Sequence, residues 1–192
     1  VTRKSVTVPP EYFEEKYRAN IDPWRFRTSE YERNKYQATI EALTNDRYSA
    51  ALEVGCSIGV LTRLLSQRCV NLLAIDASAT ALKAAKSVND TSVTFKVANL
   101  PAEFPEGKFD LIVLSEILYY FSSPDLERVA VSCMKSLTKD GEIVLCHWLG
   151  ETDYPLTGVE ASELFSRQIN QAARFRSILH DDVYRLERYS AC

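Results

Sequence analysis

The stretch ALEVGCSIGVLTRLL, residues 51–65, constrains the fold more than any other part of the chain. Ala51, Leu52 and Val54 suit a buried strand, Gly55 and Gly59 bracket a tight turn, and Leu61, Leu64 and Leu65 recur at helical spacing. Glycine has no Cβ, so Gly55 and Gly59 can take positive φ or let a ligand approach the backbone, while the following helix offers N–H groups at its start. A strand, glycine loop and helix in this order point to an α/β domain that binds a nucleotide-derived ligand.

Two ligand classes use such a loop. The dinucleotide fingerprint requires glycine at its first, third and sixth positions; counted from Gly55 these hold Gly55, Ser57 and Val60. The pattern E-x-G-x-G-x-G fits better, with Glu53, Gly55 and Gly59 in place and Ser57 replacing only the middle glycine. The next apolar run, Asn71 to Asp76, ends in a carboxylate at about the separation where an acid meets ribose hydroxyls. Asp76 could instead cap the helix expected over Ser78 to Lys86, a role open to Ser78 as well.

The 192 residues suit a single domain, with residues 1–45 forming a helical cap or lid within it. A net charge of −3, with acids and bases interspersed, gives no footprint for nucleic acid or an anionic membrane. No apolar run reaches the ~20 residues of a membrane helix, and the N-terminal VTRKSVTVPP lacks the apolar core of a signal peptide. A cytoplasmic monomer is expected. The cysteines Cys56, Cys69, Cys133, Cys146 and Cys192 are scattered without C-x-x-C spacing, so neither a metal site nor a disulfide framework is expected.

Along the chain, PPEYFEEKYRA reads as a short helix, and Asp22-Pro23 breaks it before the aromatic and basic cluster Trp24, Arg25, Phe26, Arg27. Ser29 is placed to cap a second helix, with Tyr31, Lys35 and Tyr36 near one face. TSVTFKV, residues 91–97, is the third strand. Phe109 to Leu114 form a continuous apolar strand that delivers Ser115 and Glu116 to its carboxyl end, where ligands of open α/β sheets sit. Tyr119 and Tyr120 follow. A helix capped near Ser123 turns Leu126, Val129 and Met134 inward and stops at Lys139-Asp140-Gly141; strand five, residues 142–148, carries His147 and Trp148 to the same rim. A helix over residues 159–173 and two strands joined by the acidic turn Asp181-Asp182 complete the chain, with His180 near that turn.

On the glycine loop the chain resembles class I S-adenosylmethionine-dependent methyltransferases. DPWRFRTSEYERNKY, ALEVGCSIGVLTRLL, FDLIVLSEILYYF and DYPLTG together resemble the rhizobial nodulation-protein (NodS-like) N-methyltransferase family, from about Tyr12 to Gly158. The resemblance implies a Rossmann-like, seven-stranded, mostly parallel sheet with helices on both faces and a C-terminal antiparallel hairpin. It implies S-adenosyl-L-methionine as cofactor and S-adenosyl-L-homocysteine as product. Glu53 would tune the loop from below the ligand, and Gly55 would lie against the methionine part. Cys56, Ser57 and Gly59 complete the loop; Asp76 would meet the ribose and Asn99 the adenine, with Ala77, Leu100 and Ser115 as further cofactor-binding residues. Trp24 and Arg25 would fold over the cofactor. Family members methylate an amine on a chitin-derived backbone, so the implied acceptor is a small-molecule or oligosaccharide amine. An amine must lose its proton before attack, which makes Glu116 or His147 the expected base and Tyr119 or Tyr120 the orienting group. No metal is required. A dehydrogenase, an O-methyltransferase of a small metabolite and a cofactor-binding protein without turnover are the alternatives.

Overall fold

The computed structural model describes residues 3–89, 92–170 and 183–191, and 173–180 as backbone. Thr91, the 171–172 end of the last expected helix, the acidic turn at 181–182 and Cys192 lie outside the described residues, as does the side chain of His180. The chain divides into two compact units, Pro9–Asn99, and Leu100–Cys192 together with Val1–Val8.

The unit Pro9–Asn99 contains α1 (Pro10–Ala19), α2 (Glu30–Glu41), β1 (Tyr48–Val54), α3 (Val60–Ser66), β2 (Cys69–Asp76), α4 (Ala79–Val88) and β3 (Val93–Val97). Its strands are parallel in the order β3-β2-β1, with Val54 opposite Ile75 and Asp76 opposite Val97. Leu52, Val54, Leu72, Ala74 and Ile75 are buried, as apolar runs between crossover helices must be. Ser29 caps α2 by accepting from the Glu32 amide. Lys35 is buried at 1 % exposure, ion-paired to Glu32 at 3.0 Å, with its ammonium over the rings of Tyr31 and Tyr36. Ser78, not Asp76, is the N-cap of α4, its hydroxyl accepting from the Ala81 amide at 3.1 Å.

The second unit contains β4 (Phe109–Ser115), a 3-10 turn (Leu118–Tyr120), α5 (Ser123–Ser136), β5 (Leu137–Trp148), α6 (Gly158–Ile169), β6 (Ala173–His180) and β7 (Tyr184–Ala191). The order is β4-β5-β7-β6: β4 and β5 are parallel, and β7 is antiparallel to both of its neighbours. The seven strands therefore form the mostly parallel α/β arrangement with a C-terminal antiparallel hairpin expected from the sequence.

Three boundaries differ from expectation. The fifth helix stops at Ser136 and β5 begins at once, so Lys139-Asp140-Gly141 does not end the helix. Phe109 pairs with Leu137 and Leu111 with Glu142, which leaves the four residues Thr138 to Gly141 in a bulge where Gly141 packs closely on Leu137. The buried face of α5 is Leu126, Val129, Ala130 and Cys133, while Met134 is half-buried. The sixth helix ends at Ile169, and its start is fixed by a capping box between Thr157 and Glu160.

Candidate active site

The glycine loop is shaped by three left-handed residues, Gly55 at φ +77°, Ser57 at +52° and Gly59 at +79°. Only glycine adopts this region without a steric penalty, so Ser57 needs support. The amides of Gly55 and Cys56 both donate to the carbonyl of Ile75, at 2.8 and 3.0 Å, which fastens the loop to β2. The Ser57 amide donates to Asp76 Oδ2 at 2.9 Å, and the Ser57 hydroxyl accepts from the phenol of Tyr17 at 2.5 Å. At Gly59 the missing side chain serves packing: a Cβ would meet Asn89 Nδ2 at 2.4 Å and Ala85 Cβ at 2.9 Å. This glycine admits α4 to the loop, and Asn89 donates to its carbonyl at 3.0 Å.

Asp76 sits at the end of β2 with each carboxylate oxygen on a backbone amide, Oδ2 on Ser57 and Oδ1 on Ser78 at 2.8 Å. Burial raises its pKa to about 6, against the opposing pull of the Ser78, Ser57 and Ala77 amides. Glu53 is more strongly affected. Burial, with the Asp76 charge adding to it and the Thr62 hydroxyl opposing, raises its pKa to about 8. Its Oε2 is buried and has no hydrogen-bond partner among the described residues. Burial also holds the Cys56 thiol well above its ordinary pKa, so Cys56 is a packing residue in the loop and not a reactive thiol.

Helix α1 supplies two residues that the sequence reading missed. Tyr17 reaches the loop as described, and Glu14 accepts from Ser78 Oγ at 2.6 Å, Thr80 Oγ1 at 2.6 Å and the Thr80 amide at 3.2 Å. These bonds, chiefly that from Ser78, lower the Glu14 pKa to about 2. Glu14 thus serves the start of α4 as a second cap. Trp24 is half-buried with its ring edge-on to Tyr17 at 5.5 Å, against a cluster that includes Ile58 of the loop and Phe26. Arg25 is exposed at φ +61° in a turn organised by Asp22, which accepts from the amides of Phe26 and Arg27. Asn99 is half-buried just past β3, and Ala77 lies between Asp76 and the α4 cap.

The other unit carries Leu100, Ser115 and the expected catalytic residues. Ser115 ends β4, opposite Cys146 of β5. Glu116 follows it at φ +57°, a strained conformation for a residue with a side chain. Its Oε2 accepts from the Tyr119 hydroxyl at 2.8 Å and from the Trp148 amide at 3.0 Å. Burial, aided by the Glu116 charge, keeps Tyr119 a neutral phenol, well above its ordinary pKa. Its ring stacks on Tyr154 at 5.7 Å and meets Tyr120 edge-on at 4.7 Å. His147 differs from expectation. It is fully buried; Nε2 accepts from the Leu118 amide at 3.1 Å, and Nδ1 faces the Ser162 hydroxyl at 3.5 Å. A ring nitrogen already accepting from a backbone amide cannot take a substrate proton without breaking that bond, so His147 holds the turn that carries Tyr119.

The strand order, the glycine loop and the acid at the end of β2 are those of the class I methyltransferase fold. A Pseudomonas syringae crystal structure assigned to the methyltransferases is 31% identical, with a TM-score of 0.73 over 83% of this chain and 98% of that one. The N-methyltransferase NodS from Bradyrhizobium japonicum WM9, solved in complex with S-adenosyl-L-homocysteine, shares the fold at 20% identity and a TM-score of 0.79, over 95% of this chain and 98% of that one. Nodulation protein S of Rhizobium tropici is 32% identical over 127 residues, 64% of this chain and 53% of that protein. The chain spans about half the length of that relative. The family model for nodulation protein S (NodS) matches residues 11–148, and the chain belongs to this family.

Proposed function

We propose that the protein is an S-adenosylmethionine-dependent N-methyltransferase whose acceptor is an amine of a small molecule or of a deacetylated amino sugar. The observation that carries the reading is the clasp of the Asp76 carboxylate on the Ser57 amide of a loop with three left-handed residues. The buried, unpartnered Glu53 Oε2 is a polar atom of the kind that a bound ligand or its water would satisfy, so the residues present fit the cofactor. The B. japonicum NodS complex with S-adenosyl-L-homocysteine supports the same assignment. Asp76 would hold the ribose hydroxyls, the Gly55–Gly59 loop the methionine part, Asn99 with Leu100 the adenine, and Trp24 with Arg25 the outer face. Residues 1–45 act as a lid within a single methyltransferase domain, in a cytoplasmic monomer.

When bound, the cofactor supplies an activated methyl group on its sulfonium. The chain supplies orientation and proton removal. An amine is protonated near neutral pH, and the Glu116 carboxylate takes that proton. The Tyr119 O–H and Trp148 N–H, both donating to Glu116 Oε2, keep the carboxylate fixed in place. His147 contributes by holding the Leu118–Tyr120 turn in place.

The test is single-turnover methyl transfer to glucosamine oligomers by native protein and Glu116→Gln, alongside calorimetry with S-adenosyl-L-homocysteine. Turnover should fall in the variant far more than cofactor affinity. Absence of cofactor binding by the native protein refutes the reading. Transfer only to a hydroxyl would overturn the amine and leave the cofactor assignment standing.

A further inference from the structure

Exposed tryptophan is usually an unconstrained surface residue, but Trp148 is held on three sides. It is 38% exposed and is the one aromatic among the exposed large apolar side chains of the described residues. Gly150 lies against its six-membered ring: a Cβ there would meet Cζ2, Cη2 and Cε2 at 2.0, 2.3 and 2.4 Å. Gly158 lies against its carbonyl oxygen, where a Cβ would come within 2.0 Å. Its amide donates to Glu116 Oε2, and the next amide, Leu149, donates to the carbonyl of Val183, just before β7. Two of the six glycines in the chain therefore make room for this residue. Neither has a positive φ, so the backbone itself does not demand glycine there.

From this geometry we infer that the Trp148 indole is the platform of an acceptor subsite, on which a glucosamine ring stacks while its ammonium meets the Glu116 carboxylate. A pyranose has an apolar C–H face, for which a flat, rigid and partly wet indole is the complement, and rigidity means little entropy is lost on binding. Glu116 supplies the opposite charge, its carboxylate held by the backbone amide of the platform residue. A hexosamine carries both features within one ring: an apolar face, and an amine one bond from it. The identity of the ligand rests on the amine reading above; the platform rests on Trp148, Gly150 and Glu116.

The experiment titrates a fully deacetylated chitin tetramer into native protein, Trp148→Ala, Trp148→Phe and Gly150→Ala. Affinity is read by calorimetry and by tryptophan emission, and S-adenosyl-L-homocysteine affinity is measured on the same samples. Native protein should bind the tetramer with a saturable change in emission. Trp148→Ala should weaken binding roughly tenfold, whereas Trp148→Phe, which keeps a flat ring, should stay within about threefold. Gly150→Ala retains the indole but displaces it, so it should match Trp148→Ala. Cofactor affinity should be unchanged throughout. Undiminished tetramer binding by Trp148→Ala, or none by native protein that still binds S-adenosyl-L-homocysteine, overturns the subsite and leaves the proposed function in place. Trp148-dependent tetramer binding without any cofactor binding would refute the methyltransferase reading and uphold the platform.

Discussion

Replacing Glu53 by glutamine should flatten the dependence of stability on pH in the alkaline range. Glu53 is fully buried, and its pKa in the folded protein is about 8 against an ordinary value of 4.5. Below the ordinary value both folded and unfolded chains hold the proton, and the residue leaves stability unaffected by pH. Above it the unfolded chain ionises while the folded one does not, so stability falls with rising pH until the folded pKa is passed. At about 1.4 kcal/mol per pH unit, the whole interval amounts to about 5 kcal/mol. Asp76 contributes a similar decline, but its folded pKa of about 6 ends that decline earlier. The window from about pH 6.5 to 8.5 therefore isolates Glu53, and in it the native protein should lose about 2 kcal/mol. Glu53→Gln has no proton to retain and should lose almost none. Urea unfolding of both proteins at three pH values across this window measures the difference. Parallel declines would refute the reasoning, because they would assign the effect to groups other than Glu53.

Asp76→Ala should weaken S-adenosyl-L-homocysteine binding by about 2–4 kcal/mol in calorimetry, through loss of charged hydrogen bonds to the ribose; unchanged affinity would remove Asp76 from the site. Tyr17→Phe should lower stability by about 1 kcal/mol, and the effect should vanish in a Ser57→Gly background, where neither hydroxyl nor left-handed strain remains. A persistent effect would mean that Tyr17 acts through packing alone. Tryptic cleavage at Arg25 or Arg27 should slow when S-adenosyl-L-homocysteine is added, and equal rates would end the lid proposal.

Local chemistry was legible in the sequence wherever one element decided the outcome. Ser29 capped the helix it precedes, the Gly55–Gly59 turn formed where the glycines required it, and Asp76 fell at the end of β2. Contacts between elements distant in sequence were not legible. Tyr17 is one of ten tyrosines, and nothing local marks it as the partner of Ser57, forty residues away. Glu14 and Tyr17 share a face of α1, but what that face meets is settled only by the packing of α1 on α4. His147 read as a base because it ends a strand, and the Leu118 amide that occupies its Nε2 comes from a turn that carries no periodic signal. The β5 bulge was hidden because Lys139-Asp140-Gly141 has the composition of a helix stop.

The position of β7 bears on how the sheet assembles. β7 follows β6 in sequence, yet it lies between β5 and β6, and β6 pairs with nothing else in the order β4-β5-β7-β6. Until β7 pairs, β5 therefore presents an unsatisfied ladder, and β6 is a strand without a sheet. Such an edge recruits other strands. The strand that closes it brings charge into the interior: Glu187 is fully buried with Arg185 as its ion partner, and Arg188 lies 3.8 Å from the buried Glu142 of β5. A foreign or slipped strand would lose the approach of Arg188 to Glu142, so the pairing is selected by charge as well as by shape. Assembly of the β4-β5-β7-β6 order thus turns on β7, which alone joins β6 to the other strands.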